Sequence, residues 1–178
     1  MHIQSFVVAV VVVLLSGVLA ACEPTTCGDL EEDLSVALGH ASMEGWEAIE
    51  AGSEVLVAPG SQGWGLMIEV NIRLTGLAAD VGAYSTADVQ IFRGTEEAAQ
   101  LTAPGTRMLA ALCQDDGALL SRNRRVEFSD DYTDFTMLEG IDLGIDALLA
   151  IDVELQDGRS VAQELQVNLI RAGMAGVL

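Results

Sequence analysis

No lysine occurs in this sequence. Its eight basic residues, all arginine, stand against 27 acidic ones, for a formal charge of −19. A surface so poor in positive charge repels phosphate backbones and anionic headgroups, which argues against nucleic-acid partners. Cationic partners or divalent metals suit it better, and plain solubility explains the acidity equally well. Histidine is nearly absent too: beyond His2 there is only His40. Nucleophilic catalysis needs an oriented base and an oxyanion site. His40 and Ser42 are the one pairing on offer, and nothing beside them supplies the rest. No nucleotide-binding glycine loop follows a strand, no Cys-x-x-Cys occurs, and no glycosidase pair stands out among so many carboxylates. The chain reads as non-catalytic. Were one of the three cysteines committed elsewhere, the two remaining thiols and His40 would be fewer ligands than a structural zinc centre takes.

Charge is wholly missing from residues 1–21, where "FVVAVVVVLLSGVLAA" runs from Phe6 to Ala21. The run is short for a membrane-spanning helix of about 20 residues and long enough for a secretory signal core. Lys and Arg are absent from the preceding "MHIQSF", so only the terminal amine and His2 supply the usual positive start. An uncleaved anchor and a buried apolar strand are the alternatives. The stretch Leu19-Ala20-Ala21-Cys22 resembles the lipobox of bacterial lipoprotein signal peptides. That resemblance implies lipid addition to the Cys22 thiol and cleavage before it. Glu23, in the position that sorts lipoproteins in some Gram-negative bacteria, implies an outer-membrane address. One acyl chain holds a protein to a bilayer only marginally, whereas two or three make release negligible.

If Cys22 carries lipid, Cys27 and Cys113 remain in an oxidising compartment, where a disulfide is expected. It would close a loop of about 86 residues, worth roughly 4–5 kcal/mol in the chain-entropy model. A Cys22–Cys27 bridge would close a small loop instead and exclude the lipid. The organisation that follows is a signal peptide over 1–21, a lipidated tether over 22–33, one domain over 34–170 and a loose tail over 171–178.

Within the domain no long helical period appears, and the dominant signal is period-two alternation. In "IEVNIRL" Ile68, Val70, Ile72 and Leu74 share one face, with Glu69, Asn71 and Arg73 on the other. "ADVQI", "LAIDVEL" and "VAQELQVNL" repeat the pattern. Asp157-Gly158 between the last two marks a hairpin with a type I′ turn. Weaker strands fit 34–39, 53–58, 107–113, 119–128 and 134–138, and "TEEAAQL" at 95–101 suits one or two helical turns. About eight or nine short strands separated by Gly, Asp and Pro turns indicate an all-β, single antiparallel β-sandwich, with a jelly roll as the alternative. The lipobox, the "APGSQGWG" turn running into "LMIEVNIRLTGL" and the closing "DVELQDGRSVAQELQVNL" together resemble uncharacterised bacterial lipoproteins with an immunoglobulin-like sandwich. The resemblance implies that fold and an envelope address, and carries no activity with it.

Three stretches are candidate sites. In "GSQGWG" the glycines permit a sharp turn that presents Gln62 and Trp64, and a loop tryptophan stacks on sugars or anchors a partner protein. The plainer reading folds Trp64 back over the end of the sandwich. "FSDDYTDF" gathers Asp130, Asp131 and Asp134, hard oxygen ligands of the kind Ca²⁺ takes; a solvated acidic turn is the plainer reading. "SRNRR" places Arg122, Arg124 and Arg125 where they would take phosphate or carboxylate groups, or pair with neighbouring acids. The expected function is a membrane-anchored, non-catalytic envelope module that binds a protein or glycan through loops. The alternative is a calcium-dependent adhesion-type module.

Overall fold

The computed structural model describes residues 33–41, 46–60, 65–77, 85–101 and 112–173. The apolar leader, Cys22, Cys27 and the loop bearing Gln62 and Trp64 lie outside them. Among the described residues there are nine strands: β1 (Ser35–His40), β2 (Glu54–Pro59), β3 (Leu66–Thr75), β4 (Thr86–Arg93), β5 (Glu96–Leu101), β6 (Leu112–Cys113), β7 (Leu119–Phe128), β8 (Ile145–Glu154) and β9 (Ser160–Arg171). The one helical element is a 3₁₀ turn, Phe135–Met137. The chain is all-β, as its alternation indicates.

Strand direction and closure differ from expectation. β3 carries β7 on one edge, while its other edge is shared by β1, opposite Val70–Thr75, and β2, opposite Leu66–Met67. The second edge of β7 is shared in the same way by β6 and β5. The ladder therefore closes as a seven-stranded barrel, β3-β2-β9-β8-β4-β5-β7, with β1 and β6 attached outside the ring. β2 runs parallel to β9, so the all-antiparallel expectation is corrected to a mixed sheet. Alternation reports which face of a strand is buried; it carries no information on neighbour or direction.

The inward faces are those the alternation picks out. Ile68, Val70, Ile72 and Leu74 of β3, Val89 and Ile91 of β4, and Leu149, Ile151 and Val153 of β8 are all buried in one core. Each side chain removed from water contributes about 1.5–3 kcal/mol.

Local corrections have local causes. "TEEAAQL" forms β5 rather than a helical turn. A two-residue Gly94-Thr95 loop with positive φ at Gly94 turns the chain back, so Arg93 faces Glu96. That is the pattern of a II′ hairpin, and ladder bonds to β4 and β7 override the helix preference of Glu, Ala and Gln. The 134–138 segment is the 3₁₀ turn because Asp134 Oδ1 accepts from Thr136 N–H at 2.7 Å and holds the chain curled. The β8–β9 hairpin stands where expected with a different turn. Gly158 alone has positive φ, and its N–H donates to Leu155 O at 3.0 Å, giving a three-residue loop rather than a type I′ turn.

Gly39 is required by a close approach. A Cβ there would meet the Trp46 ring at 2.6 Å and the Glu47 carbonyl oxygen at 2.7 Å. The indole thus packs flat on β1, with the Arg73 guanidinium 5.5 Å from its centroid and Asp116 2.6 Å beyond. Gly39→Ala is expected to cost about 1–3 kcal/mol, as overpacking against backbone does. Thermal unfolding alongside indole fluorescence in a Trp64→Phe background checks it; an unmoved midpoint and spectrum would refute the packing argument.

Candidate binding surface

The β2–β3 hairpin positions the site. Its strands pair at Ala58–Met67 and Pro59–Leu66, and Gly60 N–H donates to Gly65 O at 3.1 Å across the mouth of the loop. Gln62 and Trp64 belong to that loop and lie outside the described residues. On the outer face of β3, β1 ends at His40 and β2 takes over the same edge. The break leaves a cavity of about 270 Å³ lined by His40, Val55, Leu56, Ala58, Met67 and Ala172, with Glu69 on its wall. Ala172 is held there by its N–H bond to Val57 O at 2.8 Å.

Leu56 is 46% exposed although its strand neighbours Val55 and Val57 are buried. Its partner across the parallel ladder is Ile170, itself half-buried. Met67, Ala58, Leu56 and Ile170 therefore make an apolar strip across three strands on the outside of an acidic protein. Leu143, 93% exposed on the Gly140–Leu143 turn, lies beside the end of β9, where Asp142 pairs with Arg171 at 3.5 Å. A cavity of this size is below the range for a drug-sized ligand and suits one or two partner side chains. Sequence reading missed Leu56 and Leu143. The signal for Leu56 was present: "EVLVAP" puts a leucine where alternation calls for a polar residue.

The other candidates separate. Asp130, Asp131 and Asp134 stand on one loop, yet no group of three acidic, His or Cys side chains able to hold a metal forms among the described residues. Asp134 is committed to its turn, accepting from both the hydroxyl and the N–H of Thr136. Of the arginine run, Arg125 pairs with Glu69 across the β3–β7 ladder at 3.5 Å, the solvated pairing the acidic composition favours. His40 lines the apolar cavity, and Ser42 is outside the described residues. Cys113 is disulfide-bonded, with its partner also outside them.

Two carboxyls have displaced titrations. The Thr136 hydroxyl, then its N–H, holds Asp134 below the ordinary carboxylate range. The Arg159 N–H chiefly does the same for Asp157, opposed by partial desolvation and helped by the guanidinium at 2.8 Å. A lowered folded value means each turn is favoured above the ordinary Asp value of about 3.9 and loses that support as pH falls through the lower folded value. Carbon-detected NMR titration is expected to show both carboxyls ionising below that value, with the Thr136 and Arg159 amides shifting in step. Midpoints at the ordinary value would remove the turn assignments.

No described helix is long and apolar enough to cross a membrane. No family model matches the chain, and neither a curated protein nor a solved structure with detectable similarity to it was found.

Proposed function

We propose that this chain is a bacterial lipoprotein, lipidated at Cys22 and exported to the cell envelope, whose immunoglobulin-like domain binds a partner protein without catalysis. The strand order supports the sandwich reading. Divided at its two short junctions, β2–β3 and β5–β7, the barrel becomes the layers β1-β3-β7-β6 and β2-β9-β8-β4-β5. Taken in chain order, β1, β3, β7 and β6 correspond to A, B, E and D of an immunoglobulin-like domain, and β4, β8 and β9 to C, F and G. β2 is then the first strand crossing to the opposite layer, and β5 an extra strand beside C. Cys27 is the partner assigned to Cys113, because lipid on Cys22 leaves no other thiol.

The observation that carries binding is the apolar cavity at Leu56, on the outer face of the β2–β3 hairpin. An apolar strip that runs into a cleft, on the outside of a protein with 27 acidic residues, supports a contact in which a partner side chain is buried. A photo-crosslinking side chain at position 56 of the full-length protein is expected to capture a discrete envelope protein in the living cell, with Trp64→Ala reducing the yield several-fold. The same group at exposed Arg122 is the control. Equal capture from both positions, or none from position 56, overturns the binding surface. A mass of the membrane-extracted protein that begins at Met1 without acyl chains overturns the anchor.

A further inference from the structure

β9 is paired on its second edge for only part of its length. Asn168–Arg171 run beside β2, Gly52 N–H donates to Gln166 O at 2.7 Å, and Asn168 N–H donates to Ser53 O at 2.9 Å. In a strand the N–H and C=O of one residue point to the same edge, and those of the next residue to the other. The bonds at Gln166 and Asn168 therefore direct the backbone groups of Ala162 and Glu164 away from β8. Among the described residues nothing pairs with that edge between Ser160 and Leu165.

The side chains point the same way. Val167 and Leu169, beside β2, are buried, whereas Val161 and Leu165 on the same face are half-buried. Across the ladder their partners Val153 and Leu149 are buried, so the incomplete cover over Val161 and Leu165 lies on the side of β9 away from β8, where β1 comes near without pairing. Between them Gln163 faces inward opposite Ile151, and its Oε1 is buried with no hydrogen-bond partner. Buried acceptors normally have one. On the outward face Asp152, Glu154 and Glu164 are exposed, with Asp88 opposite Asp152, while Arg159 is occupied by Asp157.

We propose that the open edge of β9, Ser160–Leu165, accepts an extended segment of a partner polypeptide as an added strand. Its inward positions carry apolar side chains that close over Val161 and Leu165, with a hydrogen-bond donor between them for Gln163 Oε1. Its outward positions carry Lys or Arg beside Glu164, long enough to reach over Ala162 toward Asp152. Charge selects this occupant over a second copy of the chain, since two domains of formal charge −19 repel. This edge is distinct from the Leu56 cavity, and either stands without the other.

The test uses full-length protein with two labelled peptides of equal composition, KVKQKLK, which alternates as required, and KKVLKQK, which does not. Anisotropy titration is expected to give at least tenfold tighter binding of the alternating peptide. Ala162→Pro should abolish that preference with little change in melting temperature, because the N–H it removes takes no part in the β8 ladder. Gln163→Leu should shift preference to KVKLKLK, which keeps the proposal testable should the proline variant fail to fold. Hydrogen exchange should find the Ala162 and Glu164 amides open in the free protein and protected in the complex. Equal affinity for the two peptides, no binding at millimolar concentration, or edge amides already protected in the free protein by its own residues or a second copy would each overturn the proposal.

Discussion

Cys113→Ser, or reduction of the wild-type protein, is expected to lower unfolding free energy by about 4–5 kcal/mol in the chain-entropy model. Small domains have only about 5–15 kcal/mol in total, so the loss should be plain in any denaturation curve. Cys113 ends the short β6 opposite Leu119, Leu119 faces Leu74 of β3, and Ser35 begins β1 opposite Thr75. The bonded cysteine and the start of β1 thus lie at one end of the β1-β3-β7-β6 run, three strand spacings or roughly 14 Å apart. Eight residue steps lead from Cys27 to Ser35 and reach at most about 27 Å, so a bridge from Cys27 spans the gap. Chain length would let Cys22 reach as well; its lipid is what assigns the bridge to Cys27. Guanidinium unfolding with and without reductant measures the effect, and mapping of the bridged peptide identifies the pair. An unchanged midpoint would mean that the bridge does not constrain the barrel. A peptide joining Cys22 to Cys113 would remove the lipid assignment.

The legible and illegible parts of the fold divide by physical cause. Strands with one buried face, such as β3, β4 and β8, announce themselves because water and core select opposite residue types at alternate positions. β5 does not. Its consecutive Ala98 and Ala99 are both buried at a register shift opposite Ile91 and Phe92, and the bulge erases the period. The parallel pairing of β2 with β9 depends on where the chain crosses between edges, which no local pattern encodes. At the candidate site, glycines single out the Gln62–Trp64 loop in the sequence, whereas the described cavity comes from the break between β1 and β2. That break is a tertiary event. Leu56 joins His40, Met67 and Ala172 only because four separate segments meet there.

Asn71 is the residue whose role sequence and structure report most differently, and Asn71→Ala is expected to cost about 2–5 kcal/mol. Alternation places it on the outer, polar face of β3; it is wholly buried. Its Nδ2 donates to His40 O at 2.7 Å and its Oδ1 accepts from Asn123 N–H at 2.9 Å. One amide therefore joins the end of β1 to β7 across β3. The register of β3 on β7 shifts between Val70 and Ile72, and Asn123 takes φ 53 at this irregularity. Asparagine tolerates that conformation better than most residues. Truncation to alanine strands two backbone groups, each costing about 1–3 kcal/mol when left unpaired in a buried setting. Asn71→Asp separates the two bonds: it still accepts from Asn123, but an ionised carboxylate faces the His40 carbonyl. It should be at least as damaging at neutral pH and regain stability once acid protonates the carboxyl and restores a donor. Urea unfolding at two pH values reads both variants, with exchange at the Asn123 amide as the local reporter. A loss below about 1 kcal/mol for the alanine variant would show that the bulge holds without its amide. The consequence reaches the binding surface, because the His40 whose carbonyl Asn71 holds also lines the Leu56 cavity. Freeing the end of β1 should therefore weaken capture at position 56 even though Asn71 itself lines no part of that cavity.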